Sequence, residues 1–295
     1  MTDEPLAPGL YLVSTPIGNL EDITLRALRV LRSADRIACE DTRQTRKLLD
    51  RYGIATPTIS SHEHNEAARS LQLIEELQAG ARIAVVSDAG TPGISDPGMV
   101  LAAAAIDAGI PVYPVPGPSA MLAALVASGL DPERFLFFGF LPAKAGARRT
   151  ALEQLAASIR QRTTVVFYEA PHRIAETLAD MEAVWGAQCR MVLARELTKL
   201  HEEFLRGTVV EVRGKIGQRE SLRGEMVVVM DAAPLASPAA QAAGSLLARL
   251  AELTKAENLP EKDALKRIAR ERGVSKSELW RELQRERAAR GSQAR

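Results

Sequence analysis

The 295-residue chain reads as an α/β protein of two lobes followed by a small helical module, and three observations predict this. Through the first 118 residues short β-rich runs alternate with helical stretches, the pattern of a mostly parallel sheet covered on both faces. A second series of strands follows whose later members are joined by loops or turns, so a mixed sheet is expected there. The stretch Asp231–Ala239 is rich in Ala, Pro and Ser and reads as a linker, beyond which everything is helical. The expected divisions are therefore 1–118, 119–233 and 240–295.

In order, the first lobe offers strands at Leu10–Ser14, Arg36–Glu40, Thr58–Ser60, Arg82–Ser87 and Val112–Val115. Helical patterns lie between them near Asp22–Ser33, Gln44–Arg51, Asn65–Gln78 and Pro97–Ala108. The second lobe offers strands at Phe135–Phe140, Thr163–Tyr168, Gln188–Ala194, Phe204–Val212 and Glu225–Met230, with helices near Arg149–Arg160 and His172–Val184. In the tail, Ala264, Leu265, Ile268 and Ala269 share a helical face, Gly273 ends that helix and Ser275 can cap the next, which carries Leu279, Trp280 and Leu283. Helix, Gly-containing turn and capped helix make a helix-turn-helix pattern.

Composition excludes several classes. At 46% hydrophobic and 25% charged residues the chain is ordinary for a globular protein and long enough to bury a core. Two cysteines, Cys39 and Cys189, are too few for a disulfide scaffold. The start, MTDEPLAPG, lacks an apolar core, and the run Met99–Ile106 stops after eight residues at Asp107, so neither a signal peptide nor a membrane span is expected. A cytoplasmic protein is expected. From Thr254 onward 12 Lys and Arg stand against 7 Asp and Glu, a net of +5; the rest carries 26 against 30, a net of −4, which restores the total of +1. A basic tail on a mildly acidic body suits a nucleic-acid or acidic partner, although its cations alternate with Glu as on a solvated helix face.

Familiar site signatures are missing. There is no Gly-x-Gly-x-x-Gly after a strand, no phosphate loop of the G-x-x-x-x-G-K type and no Gly-x-Ser-x-Gly elbow. His62 and His64 are two apart, the wrong spacing for a helical zinc motif, so no metal is expected. What remains is a set of polar, Gly- and Pro-shaped loops at five successive strand ends: Ser14–Asn19, Glu40–Arg43, Ser60–Glu66, Ser87–Gly98 and Pro116–Ala120. Open parallel sheets bind ligands in the crevice at such ends. Ser119 and the amides after Pro118 open a helix suited to a carboxylate or phosphate, while Gly90 and Gly93 admit close backbone approach. Asp88 and Asp96 favour an ammonium or sulfonium. A ligand with a carboxylate, a positive charge and an adenosine fits: S-adenosylmethionine.

The run Tyr11–Leu28 resembles the start of the tetrapyrrole methylase superfamily. Glu40-Asp41-Thr42-Arg43, Ser61-His62-Glu63-His64-Asn65-Glu66 and Ser87–Gly98 resemble its ribosomal RNA branch, which 2′-O-methylates a cytidine of 16S rRNA. Corrin-making members carry G-x-G-P-G-D where this chain has Thr15-Pro16-Ile17-Gly18-Asn19. Further similar runs are Val115–Ala120, Thr164–Arg173, Ala194–Lys199 and Gly224–Val229, so the resemblance spans residues 9 to 231. It implies two α/β lobes, S-adenosylmethionine in the cleft between them, small-subunit 16S rRNA as partner, and a homodimer. The donor's amino-acid end would lie near Asp88, Gly90, Thr91 and Ser119, with Pro16 and Ala120 in the same loops. Tyr168, Ala194, Arg195 and Met226 would line the adenosine side.

A ribose 2′-hydroxyl must lose its proton as it attacks, and the candidate bases are Glu40, Asp41, His64 and Glu169; for any single one of them, an ion pair with Arg43, Arg173 or Arg195 is the commoner role of such a carboxylate or imidazole. Arg43, Lys144, Arg148 and Arg149 are the candidates for holding RNA phosphates. Two other readings compete: a corrin methylase sharing the donor site, and a nucleic-acid-binding regulator that senses an adenosyl ligand, with the helix-turn-helix tail as its working part.

Overall fold

A computed structural model describes residues 5–61, 66–95, 98–219, 221–234, 246–256, 259–272, 274–276, 279–281, 283 and 284. Residues up to Ala233 form one compact unit and those from Pro234 a second.

The first unit holds two five-stranded sheets. In the first, β1 (Gly9–Val13), β2 (Arg36–Cys39), β3 (Thr58–Ser60), β4 (Arg82–Val86) and β5 (Val112–Val115) are ordered β3-β2-β4-β1-β5, with every pairing parallel. Side chains alternate across the sheet, so both faces need cover. Tyr11, Val13, Ile37, Cys39, Ala84 and Val86 pack under α1 (Leu25–Ser33) and α2 (Thr42–Arg51). Leu10, Ala38, Ile83 and Val85 pack against α3 (Glu66–Gln78) and α4 (Met99–Asp107) on the opposite face. The chain thus leaves β1 toward one face and the adjacent β4 toward the other. That divergence opens a crevice at their C-terminal ends.

The second sheet is mixed. Its strands β6 (Phe135–Phe140), β7 (Thr163–Glu169), β8 (Arg190–Arg195), β9 (Glu203–Thr208) and β10 (Met226–Ala232) run β6-β7-β10-β8-β9, with only β6 and β7 parallel. One face buries Val165, Phe167, Leu193, Val228 and Met230 under α6 (Ala145–Ser158), α7 (Ile174–Trp185) and α8 (Val209–Gly217). The other buries Val166, Val192, Ala194, Val227 and Val229 against α5 (Ala120–Ser128).

Three expectations are corrected. The β-branched run Val209–Val212, expected as the end of a strand, opens α8 instead. Thr208 caps it in a capping box, accepting from the Glu211 amide while Glu211 Oε2 accepts from the Thr208 amide at 2.8 Å. Helix α6 begins at Ala145, four residues before the expected Arg149, which places Arg148 inside a helix. Asp231 and Ala232, read as linker, still belong to β10.

In the second unit α9 (Leu246–Ala256) and α10 (Glu261–Arg272) share a core with Leu279 and Leu283. Lys276, Leu279, Trp280, Arg281, Leu283 and Gln284 are helical, and the Leu279 amide bonds the Ser275 carbonyl at 3.1 Å, so a further helix does follow Ser275. Gly273 lies outside the described residues.

Candidate active site

The loops at the ends of β1, β2, β4 and β5 are tied to one another by hydrogen bonds. The Thr15 amide donates to the Gly90 carbonyl at 2.8 Å and the Gly90 amide returns to the Thr15 carbonyl at 3.0 Å. Gly90 sits at φ +80°, a conformation that side chains disfavour. The hydroxyls of Ser14 and Thr91 lie 3.0 Å apart, and Thr91 also donates to the Pro118 carbonyl at 3.4 Å. Asp88 Oδ1 accepts from the Asp41 amide at 3.1 Å, which fastens the turn after β2 to the loop after β4.

The second lobe meets the first at Gly18 and Asn19. The Asn19 amide donates to Thr198 Oγ1 at 3.0 Å, and a Cβ on Gly18 would lie 2.9 Å from the Leu197 carbonyl oxygen. Glu196 and Thr198 there hold positive φ angles of 53° and 64° without being glycine. Backbone strain of this sort persists only where surrounding bonds over-determine it. Here the Glu196 amide bonds the Glu225 carbonyl, Glu196 Oε1 accepts from the Glu225 amide and from Lys199 Nζ, and the Thr198 amide bonds Glu202.

Between the lobes lies a cleft of about 310 Å³, within the ~300–1,000 Å³ usual for small-molecule sites. The first lobe contributes Ile17, Ala89, Gly90, Thr91, Ile94, Ser95, Ser119 and Ala120. The second contributes Phe140, Tyr168, Glu169, Ala170, Pro171 and the segment Gly224–Val227. Ser119 caps α5 in position but makes no side-chain bond to its first turn, and it lines the cleft together with Ala120, the first residue of that helix. Tyr168 is held edge-on by Phe137 and Phe140, with ring centroids 5.0 and 5.5 Å away.

Of the expected donor residues, Gly90, Thr91, Ser119, Ala120, Tyr168 and Met226 line this cleft, and Pro16, Asp88, Ala194 and Arg195 do not. Asp88 is exposed and holds the Asp41 amide instead. Ala194 is fully buried against α5, and Arg195 is paired with Glu203 at 3.2 Å. Sequence reasoning singled out no role for Ile17, Ala89, Ile94, Ser95, Ala170, Pro171, Glu225 or Val227, although all stand in the quoted runs. Phe140 stood only in an expected strand, and nothing in its immediate sequence marks it.

Of the expected bases among the described residues, Glu169 alone lines the cleft, and its oxygens are already engaged. Oε1 accepts from the Ala170 amide at 2.9 Å, Oε2 accepts from Thr177 Oγ1 at 2.6 Å, and Arg173 lies 3.3 Å away. Asp41 caps α2, and the Arg43 guanidinium bonded to it holds its carboxyl down to about 2. Glu40 is half-buried outside the cleft, and His64 lies outside the described residues.

The expected phosphate contacts divide. Arg43 and Lys144 are exposed. Arg148 is not: its side chain is 2% exposed and bonds Asp180 at 2.7 Å and Glu176 at 3.1 Å, so it ties α6 to α7 and cannot reach an RNA. Arg149 shares Asp180 at 2.9 Å while staying half in solvent. Burial pushes the Asp180 carboxyl up, but the two guanidiniums outweigh it and hold it below the usual range.

Residues 9–213 match the family model of tetrapyrrole (corrin/porphyrin) methylases. The chain is 47% identical over 279 residues to ribosomal RNA small subunit methyltransferase I of Mesorhizobium japonicum, covering 95% of this chain and 92% of that one. It is 44% identical to the protein of the same name from Halalkalibacterium halodurans, covering 92% and 93%. Uroporphyrin-III C-methyltransferase from Thermus thermophilus, solved in complex with S-adenyl homocysteine, superposes at a TM-score of 0.53 and 17% identity over 75% of this chain and 96% of that one, a likeness of fold.

Proposed function

The chain belongs to the tetrapyrrole (corrin/porphyrin) methylase family, and we propose that its cleft serves S-adenosylmethionine-dependent 2′-O-methylation of a cytidine ribose in 16S rRNA. The observation that carries this is the cleft itself, in which strand-end loops of both lobes, with the first residue of α5, enclose an apolar space. The corrin reading rests on neighbours of low identity, whereas relatives similar over nearly the whole chain carry the ribosomal RNA name.

The residues fit the donor. Ser119, Ala120 and the Gly90–Thr91 turn suit its amino-acid end, while Phe140, Tyr168 and Met226 suit its adenosine. When bound, S-adenosylmethionine supplies an electrophilic methyl on a sulfonium. The chain's own task is to hold the acceptor hydroxyl in line and exclude water, a contribution of about 7–11 kcal/mol in favourable cases. With both oxygens engaged, Glu169 serves to fix the Tyr168–Pro171 wall rather than to take the proton. Arg43, Lys144 and Arg149, all open to solvent, are the cations proposed to hold RNA phosphates.

An rRNA acceptor supports a cytoplasmic location. Among the described residues no helix is long and apolar enough to cross a membrane, and no group of three His, Cys, Asp or Glu side chains could hold a metal. A homodimer is supported by β6, an edge strand that leaves Phe135, Leu136 and Phe138 exposed, more apolar surface than a solitary edge ordinarily carries.

The test is methyl transfer from labelled S-adenosylmethionine to small ribosomal subunits lacking their native methylation, with the label located by mass spectrometry after digestion. Label on a single cytidine ribose is expected. Donor binding without transfer to RNA would move the acceptor to a small molecule, and absence of donor binding would overturn the reading.

A further inference from the structure

The C-terminal unit carries a surface that the cleft does not explain. Within its terminal helix Leu279 is 1% exposed and packs into the core, whereas the next residue, Trp280, is 48% exposed. Trp280 faces an open hollow of about 860 Å³ whose other walls are Leu265, Glu261, Lys262, Lys276 and Arg281. The half-exposed indole thus presents an aromatic face to a concave, cation-lined hollow rather than to open solvent. Among the described residues three cations and one carboxylate line this hollow beside the ring, and the chain from Thr254 onward carries a net +5.

We propose that this hollow binds unpaired RNA, one base stacking on the Trp280 indole with Leu265 beneath it and the flanking phosphates meeting Lys262, Lys276 and Arg281. A flat π-face bordered by negative charge is what an aromatic ring inside a cationic rim recognises, and such stacking is tolerant of sequence. An anionic membrane surface also attracts cations, but it would be met by a continuous apolar face rather than one indole above one leucine. The site makes the C-terminal unit a second hold on the rRNA substrate, and in that respect it rests on the reading above.

Trp185 and Trp280 are the two tryptophans of the chain, so full-length protein carrying Trp185→Phe reports on Trp280 alone by fluorescence. Titration with a single-stranded oligouridine should quench it, and inorganic polyphosphate of matched charge should not. In the otherwise native chain Trp280→Ala should weaken oligouridine binding about 5- to 150-fold, with Trp280→Phe recovering most of it. Lys262→Ala with Lys276→Ala should lower the slope of log K against log salt by about 1.4. The dissociation constant of S-adenosylmethionine should be unchanged throughout, so loss of the RNA effect and loss of the donor site are read separately. Equal quenching by polyphosphate, quenching by phosphatidylserine vesicles but not RNA, or an unaltered affinity in Trp280→Ala would each overturn the proposal.

Discussion

Replacing Arg148 by Met should destabilise the first unit by about 3 kcal/mol while leaving RNA binding intact. The guanidinium is almost wholly enclosed and bonds Asp180, itself 6% exposed, at 2.7 Å. Stranding one member of a buried pair costs ~3–5 kcal/mol. Two features place this case at the lower end. Glu176 is 71% exposed and regains water, and Arg149 remains 2.9 Å from the other oxygen of Asp180. For a unit of this size about 3 kcal/mol lowers Tm by roughly 6–12 °C. Trp185, the last residue of α7, reports unfolding next to the lesion in a Trp280→Phe background. Adding Asp180→Asn should cost less than the sum of the two single changes, because the charge left unpaired is then gone. A wild-type midpoint in Arg148→Met, together with a fall of about 0.7 in the salt slope of RNA binding, would show that the side chain faces nucleic acid after all and would refute this reasoning.

Two further outcomes follow from the charge environment. Glu203 is bonded by Arg219 and Arg195, which hold its carboxyl down to about 2, so its stabilisation is complete above pH ~4.5 and drains away as pH falls toward 2. Screening by solvent limits this to about 1 kcal/mol, and Glu203→Gln should therefore shift the urea midpoint at pH 7 but not at pH 2. Burial pushes the Cys189 thiol up to about 11 and raises Cys39 as well, so an aromatic disulfide reagent at pH 8 should spare both thiols in the native chain and modify both in urea. Rapid modification of the native protein would contradict the packing described.

The parallel sheet was legible because Arg82–Val86 and its neighbours are apolar on both faces, and the crevice because Gly, Pro and Ser recur where those strands end. What escaped depended on partners distant in sequence. Arg148 reads as a surface cation until Asp180, 32 residues on, is brought against it. Val209–Val212 has the composition of a strand, and a short local signal, Thr208 followed three residues later by Glu211, outweighed it. Phe140 reaches the cleft only because β6 lies at the sheet edge beside β7. Arg195 and Ala194 belong to a motif run whose next residues, Glu196–Lys199, contact the first lobe, so their part of the run shapes the lobe junction rather than the cleft wall.

The pairing of Thr15 with Gly90 and of Asp88 with the Asp41 amide means that the strand-end turns are held by the chain's own bonds. At these described turns a ligand meets backbone that is already tied in place, so little of its binding energy is spent on ordering them. Deuterium should enter the Thr15 and Gly90 amides as slowly as those of β1 and β4, with or without ligand.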